Sequence, residues 1–530
     1  MRDGTRLYAD VFRPANASEP VPALVNWAPY GKGGTGEYFI EDSKTYPNRL
    51  GIPRSATSGL QSWEANDPSL WCDNGYAIVQ VDARGAFNSE GIIMFNGSQE
   101  GRDGHDAIEA IAALPWCTGK VGLAGNSWLA FAQWQIAAQK PAHLAAIAPW
   151  EGLSDIYRDF LVRGGIPEGV PFAELLMANN FGKGEAEDVV AMLDRHPLFD
   201  EYWQDKAPPI EEIECPAYVV AAYANLLHTN GTFRAWSRLR CPRWLRIHNT
   251  LEWIDFYNEK YGADLMRFFD RYLKGIDNGW EETSPVRMVV FDPGHRDIVD
   301  RPEAEFPPAR AVERALHLNL ADGKLTESPS PAETRAAYRL SAAEPQIDLL
   351  HRFDRNTEIV GYPMLRLWVS VEGHDDADVY VQMQKLSAKG KMLRHQMIDL
   401  GLPGARTWMP WLLDHGVSKL RQLFYNGPEG KIRASRRGLL SDHPLHHDLN
   451  FERKIVPGKP VALDIPLGPV AMRWHAGEQL RLRISGIPLV PMRTPEMLHY
   501  PPDPLQRGDR HTFISGGRYP AALSFRSIEF

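Results

Sequence analysis

The chain has 530 residues, of which 44% are hydrophobic and 24% are charged, which is the composition of an ordinary globular protein. This length predicts two or three domains, because a single hydrophobic core rarely serves so many residues. The formal net charge of -9 argues against a nucleic-acid-binding protein. No run of about 20 apolar residues is present, which argues against a membrane protein.

Cysteine and glycine spacing give no sign of a metal or cofactor. The four cysteines have no C-x-x-C spacing, so we expect buried free thiols rather than zinc or a disulfide framework. The glycines at 31–34 are not followed by the G-K-[ST] of a phosphate-binding loop. Residues 1–12 read as an edge strand and not as a signal peptide, which predicts a cytoplasmic location.

The first half of the chain alternates buried strands with amphipathic helices. Apolar runs at 23–30 and 76–81 predict two strands, and the helical spacing of Ile108, Ile111 and Leu114 predicts a helix over 103–114. Strand, helix and strand in succession favour a parallel α/β sheet. Tyr30 ends the first of these strands, where loops of open α/β sheets carry function, so its hydroxyl is a candidate for the site.

The segment GKVGLAGNSWLA then places a serine between a strand and a helix. The run 121–124 predicts a buried strand and the residues after Trp128 predict a helix, so Ser127 lies at a sharp turn. Such an elbow exposes a nucleophilic oxygen, while the amide of Trp128 points into the same space. The match to G-x-S-x-G is incomplete, because the second glycine is Leu129.

Four zones follow from the remaining patterns. A strand at 144–149 is followed by irregular helical sequence, and strands at 217–222 and 243–247 then resume the sheet. From about 284 the apolar residues alternate with period two, which is typical of an antiparallel β sandwich. The predicted zones are a first α/β part over 1–150, a helical cap over 151–215, a second α/β part over 216–283 and a β domain over 284–530.

Several segments together resemble one known family, the serine hydrolases related to X-Pro dipeptidyl-peptidase, cocaine esterase and α-amino acid ester hydrolase, also described as CocE/NonD hydrolases. The resemblance covers nearly the whole chain and rests on DGTRLYADVFRP, APYGK, VDARGAFNSEG, GRDGHDAIEAIAALPWCTGKVG, GNSW, FFDRYLKG and KIRASRRGLL. It implies an α/β-hydrolase domain with an inserted helical cap and a C-terminal jelly-roll domain.

The resemblance also implies site residues. Ser127 matches the nucleophile, while Tyr30 and the backbone amide of Trp128 match the oxyanion hole. The family's triad acid and histidine do not carry over, because Asn225 stands in the acid's turn and Glu252 in the histidine's position. A serine needs a base within hydrogen-bonding reach, so another residue must replace the family's histidine.

Three replacements for the missing base remain open. We favour His248, which directly follows the last α/β strand, with Asn225 or Glu252 orienting its ring. His228, in the preceding loop, is the second candidate, and Glu252 acting directly as base is the third. Each of these side chains could instead be a satisfied buried group.

The predicted function is hydrolysis of an ester or amide of a small molecule by acyl transfer through Ser127. The altered triad leaves two alternatives, an enzyme of C–C cleavage or cyclisation on the same fold and a non-catalytic binding protein. The expected partner is a small-molecule substrate. A homo-oligomer stays open, since the β domain offers contact surface without specifying its use.

Overall fold

The computed structural model describes residues 1–41, 49–179, 181–182, 184–398, 405–414, 423–438, 443–445, 447–489 and 509–530. Contacts between these residues divide the chain into two units. The N-terminal unit comprises Met1–Asp159 and Val170–Arg287, and the C-terminal unit comprises Phe160–Gly169 and Met288–Phe530. Within the described ranges, none of the helices combines the length and the apolar character that crossing a membrane requires.

The N-terminal unit is built on a twisted, mostly parallel sheet. Its strands are β1 (Ala9–Phe12), β2 (Val21–Ala28), β3 (Ala77–Asp82), β4 (Ile92–Ile93), β5 (Cys117–Asn126), β6 (Leu144–Trp150), β7 (Glu185–Ala186), β8 (Ala217–Ala222), β9 (Arg243–His248) and the start of β10 (Val286–Val290). The sheet order is β1-β3-β2-β5-β6-β8-β9-β10, with β4 and β7 forming a separate pair. Strand β1 runs antiparallel to β3, and the pairs from β3 to β10 are parallel.

The helices of this unit cover the sheet. They are α1 (Thr35–Glu41), α2 (Pro68–Asp73), α3 (Ser98–Ala112), α4 (Trp128–Ala138), α5 (Val170–Asn179), α6 (Val189–Arg195), α7 (Glu201–Asp205), α8 (Thr229–Arg238), α9 (Glu252–Phe256) and α10 (Glu259–Leu273). Every residue of α4 is buried, as expected for a helix that is apolar around its whole circumference. Helix α10 buries one stripe, Leu265, Phe268, Phe269 and Leu273.

The strand order reverses between β2 and β5. The chain adds β3 on one side of β2 and then crosses to add β5, β6, β8 and β9 on the other. In open α/β sheets the carboxyl ends of strands at such a reversal form the binding crevice. The loops after β2, β5, β6, β8 and β9 therefore meet at one edge of the sheet.

The C-terminal unit is a β domain. Its strands in the described ranges are β11 (Ile298–Glu303), β12 (Val312–Asn319), β13 (Lys324–Thr326), β14 (Thr334–Arg339), β15 (Gln346–Arg352), β16 (Thr357–Val371), β17 (Asp378–Leu386), β18 (Met392–Leu393), β19 (His395–Gln396), β20 (Phe424–Tyr425), β21 (Glu429–Arg433), β22 (Val461–Pro466), β23 (Val470–Trp474), β24 (Gln479–Ser485), β25 (Arg510–Ser515) and β26 (Ala522–Glu529). The α-helix α11 spans Ala405–Asp414. Strand β16 is central and pairs antiparallel with β22, β23, β25 and β26.

The two observed units bear on only part of the predicted division, because they do not separate a cap from the two α/β parts. The change from one unit to the other after Arg287 lies close to the predicted start of the β domain at 284. Phe160–Gly169, however, lies inside the predicted cap and yet groups with the C-terminal unit. The Gly164 carbonyl accepts a hydrogen bond from the Arg433 amide at 2.8 Å, which ties this segment to β21.

Candidate active site

Ser127 lies at a strained elbow between β5 and α4. Its φ of 56° and ψ of -117° are unusual for a residue with a side chain. Its amide donates to the carbonyls of Trp150 and Glu151, at 3.2 and 3.1 Å, which holds the turn against the end of β6. At Gly125 a Cβ would collide with Leu129, so this position requires glycine.

A histidine and a glutamate continue a chain of side-chain contacts that begins at the serine hydroxyl. Ser127 Oγ lies 3.2 Å from His228 Nε2, and His228 Nδ1 lies 2.9 Å from Glu252 Oε2. His228 immediately precedes α8 and Glu252 begins α9, and all three side chains are buried. A hydroxyl, an imidazole and a carboxylate in this succession can pass the serine proton to the ring and stabilise the resulting imidazolium.

The structure places the favoured base of the sequence analysis elsewhere. His248 Nε2 bonds Glu151 Oε1, and the ring that reaches Ser127 belongs to His228. The reason lies in where the strands end. His248 is the last residue of β9, whereas β8 ends at Ala222 and leaves a loop long enough to carry His228 across to the serine.

Asn225 joins two buried carboxylates. Its Nδ2 donates to Glu151 Oε2 at 2.7 Å and also to Glu252 Oε2. Its Oδ1 accepts the amides of Leu227 and His228, at 2.9 and 3.1 Å, which fixes the loop that presents His228. The orienting role was predicted for the ring of His248, whereas Glu252 bonds the ring of His228 and Asn225 bonds Glu252 and the amides of the loop.

Glu151 and His248 form a second buried pair beside this loop. Burial lowers the pKa of His248, but the nearby carboxylates of Asp255 and Glu151 outweigh burial and raise it above its ordinary value. Burial raises the pKa of Glu151, while the neighbouring His248 acts to lower it. The carboxylate that bonds the His228 ring is Glu252. Sequence reasoning missed Glu151, although its place directly after a buried strand at the same sheet edge was a usable signal.

Two donors face the space above Ser127. Tyr30 follows β2, is buried, and packs its ring against that of Trp128, the residue after Ser127, with the ring centroids 6.4 Å apart. Burial and the neighbouring Glu64 raise the pKa of Tyr30 well above 10, so the phenol keeps its proton. The backbone amide of Trp128 is the first of α4, where helix amides have no partner within the helix. Together they can stabilise an oxyanion.

Two groups in the described ranges bring possible metal ligands within 4.8 Å of one another: Glu151, His228 and Glu252 at the elbow, and Asp292, His295 and His475 in the C-terminal unit. In the first group both nitrogens of His228 already face Ser127 and Glu252. In the second, the ammonium of Lys385 lies 2.8 Å from Asp292 Oδ1 and supplies a counter-charge. We assign a metal to neither group.

Two stretches of the chain match models of known protein domains. Residues 3–180 match the model of the X-Pro dipeptidyl-peptidase S15 family, and residues 278–523 match that of the X-Pro dipeptidyl-peptidase C-terminal non-catalytic domain. Cocaine esterase from Rhodococcus sp. (strain MB1 Bresler) is 35% identical over 158 residues, which are 30% of this chain and 23% of that protein. The chain therefore spans about a quarter of the curated relative that it matches.

Solved structures extend the likeness to the whole chain. A CocE/NonD family hydrolase from Staphylococcus aureus superposes with a TM-score of 0.87 at 28% identity, over 100% of this chain and 92% of that one. An α-amino acid ester hydrolase, at 16% identity and a TM-score of 0.68 over 100% and 95% of the two chains, shares the fold. The predicted α/β-hydrolase domain followed by a C-terminal β domain is thus confirmed. The two parts of the chain thus match the two domain models of X-Pro dipeptidyl-peptidase, and the whole chain resembles CocE/NonD family hydrolases.

Proposed function

We propose that the protein is a serine hydrolase that cleaves an ester or amide of a small molecule by acyl transfer. Ser127 is the nucleophile, His228 the general base and Glu252 the acid that orients the imidazole. Tyr30 and the Trp128 amide stabilise the oxyanion. The observation that carries the proposal is the continuous contact from Ser127 Oγ through the His228 ring to Glu252.

The reaction runs in two halves. His228 Nε2 takes the Ser127 proton as the oxygen attacks the carbonyl carbon, and the tetrahedral oxyanion forms against Tyr30 and Trp128. His228 then gives the proton to the leaving alcohol or amine, which leaves an acyl group on Ser127. Water, deprotonated by the same ring, attacks the acyl carbon and releases the acid.

The base and the acid have exchanged loops relative to the pattern of the family. The α/β-hydrolase order along the chain is serine, acid and histidine, and here it is serine, histidine and glutamate. The loop after β8 carries His228 and the loop after β9 carries Glu252. A triad is defined by geometry rather than by chain order, so the exchange is compatible with the same chemistry.

The rearranging enzyme was suggested by Asn225 in place of the family's acid together with the loss of the family's histidine. The contacts of His228 supply a base and therefore support hydrolysis over a rearranging enzyme or a binding protein. A small molecule remains the expected substrate. The cytoplasmic location and a homo-oligomer formed through the β domain stay predictions from the sequence.

The test is hydrolysis of p-nitrophenyl acyl esters by wild type, Ser127→Ala, His228→Gln and the matched His248→Gln, each checked for folding by circular dichroism. We expect turnover by wild type, its loss in Ser127→Ala and a fall in kcat of roughly 10³-fold in His228→Gln, with a smaller fall in His248→Gln. Undiminished turnover by Ser127→Ala would remove the serine mechanism. If His248→Gln lost turnover and His228→Gln kept it, the base would be His248.

A further inference from the structure

Glu151 lies at the edge of the sheet where β5, β6, β8 and β9 end, and the proposed triad does not include it. It directly follows β6, is completely buried, and has a φ of 47°, which is rare for a residue with a side chain. Its amide donates to the Val220 carbonyl of β8 at 2.8 Å, and its carbonyl accepts the amide of Ser127 at 3.1 Å. The backbone of Glu151 therefore ties the serine turn to β8.

The side chain of Glu151 contacts the loop that carries the proposed base. Its Oε2 accepts a hydrogen bond from Asn225 Nδ2 at 2.7 Å, and the same Nδ2 bonds Glu252 Oε2. Asn225 Oδ1 accepts the backbone amides of Leu227 and His228. Only the oxygen of this side chain can accept those amides, so its nitrogen must point toward the two carboxyl groups. Glu151 Oε2 is thus one of the two acceptors that hold the Asn225 side chain in its direction.

The carboxyl group of Glu151 is itself fixed on two sides. Its Oε1 bonds Nε2 of His248, a buried residue at the end of β9. The next residue, Gly152, exchanges two hydrogen bonds with Thr232 of α8. Its amide donates to the Thr232 hydroxyl at 3.0 Å, and its carbonyl accepts from that hydroxyl at 2.9 Å. Asn225 therefore bonds an acceptor whose own position is set by β9 and α8.

These contacts connect the proposed nucleophile and its base through one residue. The backbone of Glu151 bonds Ser127, and its side chain bonds the asparagine whose oxygen fixes the amide of His228. Ser127 Oγ and His228 Nε2 are 3.2 Å apart, which is close to the limit for direct proton transfer. A displacement of about 1 Å can lower the rate of an enzyme by about 10²-fold. The separation of these two atoms therefore depends on supports such as Glu151.

We propose that Glu151 is a positioning residue, which holds Asn225 so that the His228 ring stays within reach of Ser127. This inference rests on the proposed serine hydrolase function. The role requires a hydrogen-bond acceptor at the distance of Oε2 from the backbone, and it does not require the charge of a carboxylate. Glutamine keeps such an acceptor at the same distance. Aspartate keeps the carboxylate but is shorter by one methylene.

The experiment measures kcat and KM for p-nitrophenyl acetate in wild type, Glu151→Gln, Glu151→Asp and Glu151→Leu. Rates are divided by the amount of serine that a fluorophosphonate labels at completion, so that unfolded protein is not counted. We expect kcat within about threefold of wild type in Glu151→Gln, and falls of roughly tenfold in Glu151→Asp and 10²-fold in Glu151→Leu. KM should stay within about threefold in all of them, because Glu151 acts on the base and not on the bound substrate.

The comparison of Glu151→Gln with Glu151→Asp separates position from charge and does not depend on the folding of Glu151→Leu. Equal kcat values in these two variants, or a higher value in Glu151→Asp, would overturn the positioning role. The matched control is Glu358→Asp, which shortens an equally buried glutamate of the C-terminal unit that bonds Arg301 at 2.6 and 2.8 Å. It should lower the melting temperature and leave kcat within about threefold of wild type.

A double-mutant cycle tests whether Glu151 acts through Asn225. In Asn225→Ala no side-chain amide remains for the acceptor at position 151 to hold, so adding Glu151→Asp should lower kcat by less than about threefold further. If the falls in kcat of the two single variants multiplied in the double variant, the route through Asn225 would be overturned.

Ser127→Ala separates failure of this inference from failure of the proposed function. Turnover that is lost in Ser127→Ala but unchanged in every Glu151 variant would overturn the positioning role and leave the hydrolase standing. If wild type neither turned over the ester nor reacted with the fluorophosphonate, the proposed function would be overturned and the inference with it.

Discussion

Glu100 links two tryptophans at the elbow through one oxygen. Its Oε1 accepts the indole N–H groups of Trp27 and Trp128, at 3.1 and 2.9 Å, although the side chain is buried. Burial raises the pKa of Glu100 from 4.5 to about 7, against the effect of the two indoles. Trp128, whose backbone amide is the proposed oxyanion donor, is therefore held through its indole by an acid whose pKa is about 7.

Replacing Glu100 by glutamine should change how stability depends on pH. Because folding raises the pKa of Glu100, the folded state binds more protons than the unfolded state between pH 4.5 and 7. The free energy of unfolding of the wild type therefore falls as pH rises through this range. Glu100→Gln keeps the acceptor and removes the charge. Relative to wild type, its free energy of unfolding should be larger at pH 8 than at pH 5, by at most about 3 kcal/mol, because the variant escapes this loss of stability.

Urea denaturation at both pH values provides the measurement, with Glu109→Gln as the control from the same helix. Burial raises the pKa of Glu109, but the side chain and backbone of His143 outweigh burial and hold it below 4.5, so both pH values lie above its titration and that variant should show little difference between them from this carboxyl. Parallel pH trends for the two variants would contradict the assignment of a raised pKa to Glu100.

The sequence predicts the serine turn at Ser127 better than it predicts which side chains bond to that serine. Ser127 follows from a strand that breaks into a helix, and Tyr30 follows from its place after β2 together with the family resemblance. The choice between His228 and His248 depends on how far each loop reaches from its strand end. That distance is a tertiary property, and no local pattern around either histidine contains it.

The segments that follow β6, β8 and β9 each contribute a buried polar side chain, and these side chains bond to one another. Glu151, Asn225 and Glu252 come from three different loops, and the amide of Asn225 keeps the two carboxylates bonded instead of opposed. A carboxylate at position 225 could not donate these hydrogen bonds. The residue type that the family offers in this turn is therefore wrong for this arrangement.

Asn225→Asp should accordingly lower kcat for p-nitrophenyl esters at pH 7 by at least about tenfold, because like charges would separate the loops that carry His228 and Glu252. The melting temperature should fall with it. Steady-state kinetics and thermal unfolding provide the measurements, and Asn249→Asp, a partly buried asparagine in the loop after β9, serves as the matched change. Wild-type kcat in Asn225→Asp would rule out the bridging role.

The strands and helices could be predicted from the sequence where one hydrophobic periodicity continues through the whole element. The strand predicted at 217–222 has the bounds of β8, and the strand predicted at 243–247 lies within β9. Strand β5 begins earlier than predicted, at Cys117, because its first residues pair with β2 although half of them are not apolar. Pairing partners, unlike periodicity, cannot be read from one segment alone.

On the scale of the whole molecule, each unit contains its own buried charges. In the C-terminal unit, Lys385 of β17 is completely buried and bonds Asp292 at 2.8 Å and Glu478 at 3.0 Å. Loss of the ammonium would leave two buried carboxylates without their counter-charge. Breaking a buried pair in this way is strongly destabilising, whereas surface pairs matter little.

Lys385→Met should thus lower the free energy of unfolding by about 3 kcal/mol, measured by chemical denaturation. The control is Lys389→Met, which makes the same change at an exposed position four residues along the chain. Similar losses in the two variants would show that removal of a positive charge, and not its burial, is responsible.

The segment Phe160–Gly169 has a consequence for anyone who divides this protein into pieces. Glu168 pairs with Lys431 at 2.7 Å, and at Gly164 a Cβ would collide with the Lys431 carbonyl, so the segment fits closely against β21. No single cut in the chain separates the two units. A fragment ending at Arg287 would keep these ten residues without the strand that they pack against. A fragment beginning at Met288 would lack them, so surface that is buried in the whole protein would be exposed in both fragments.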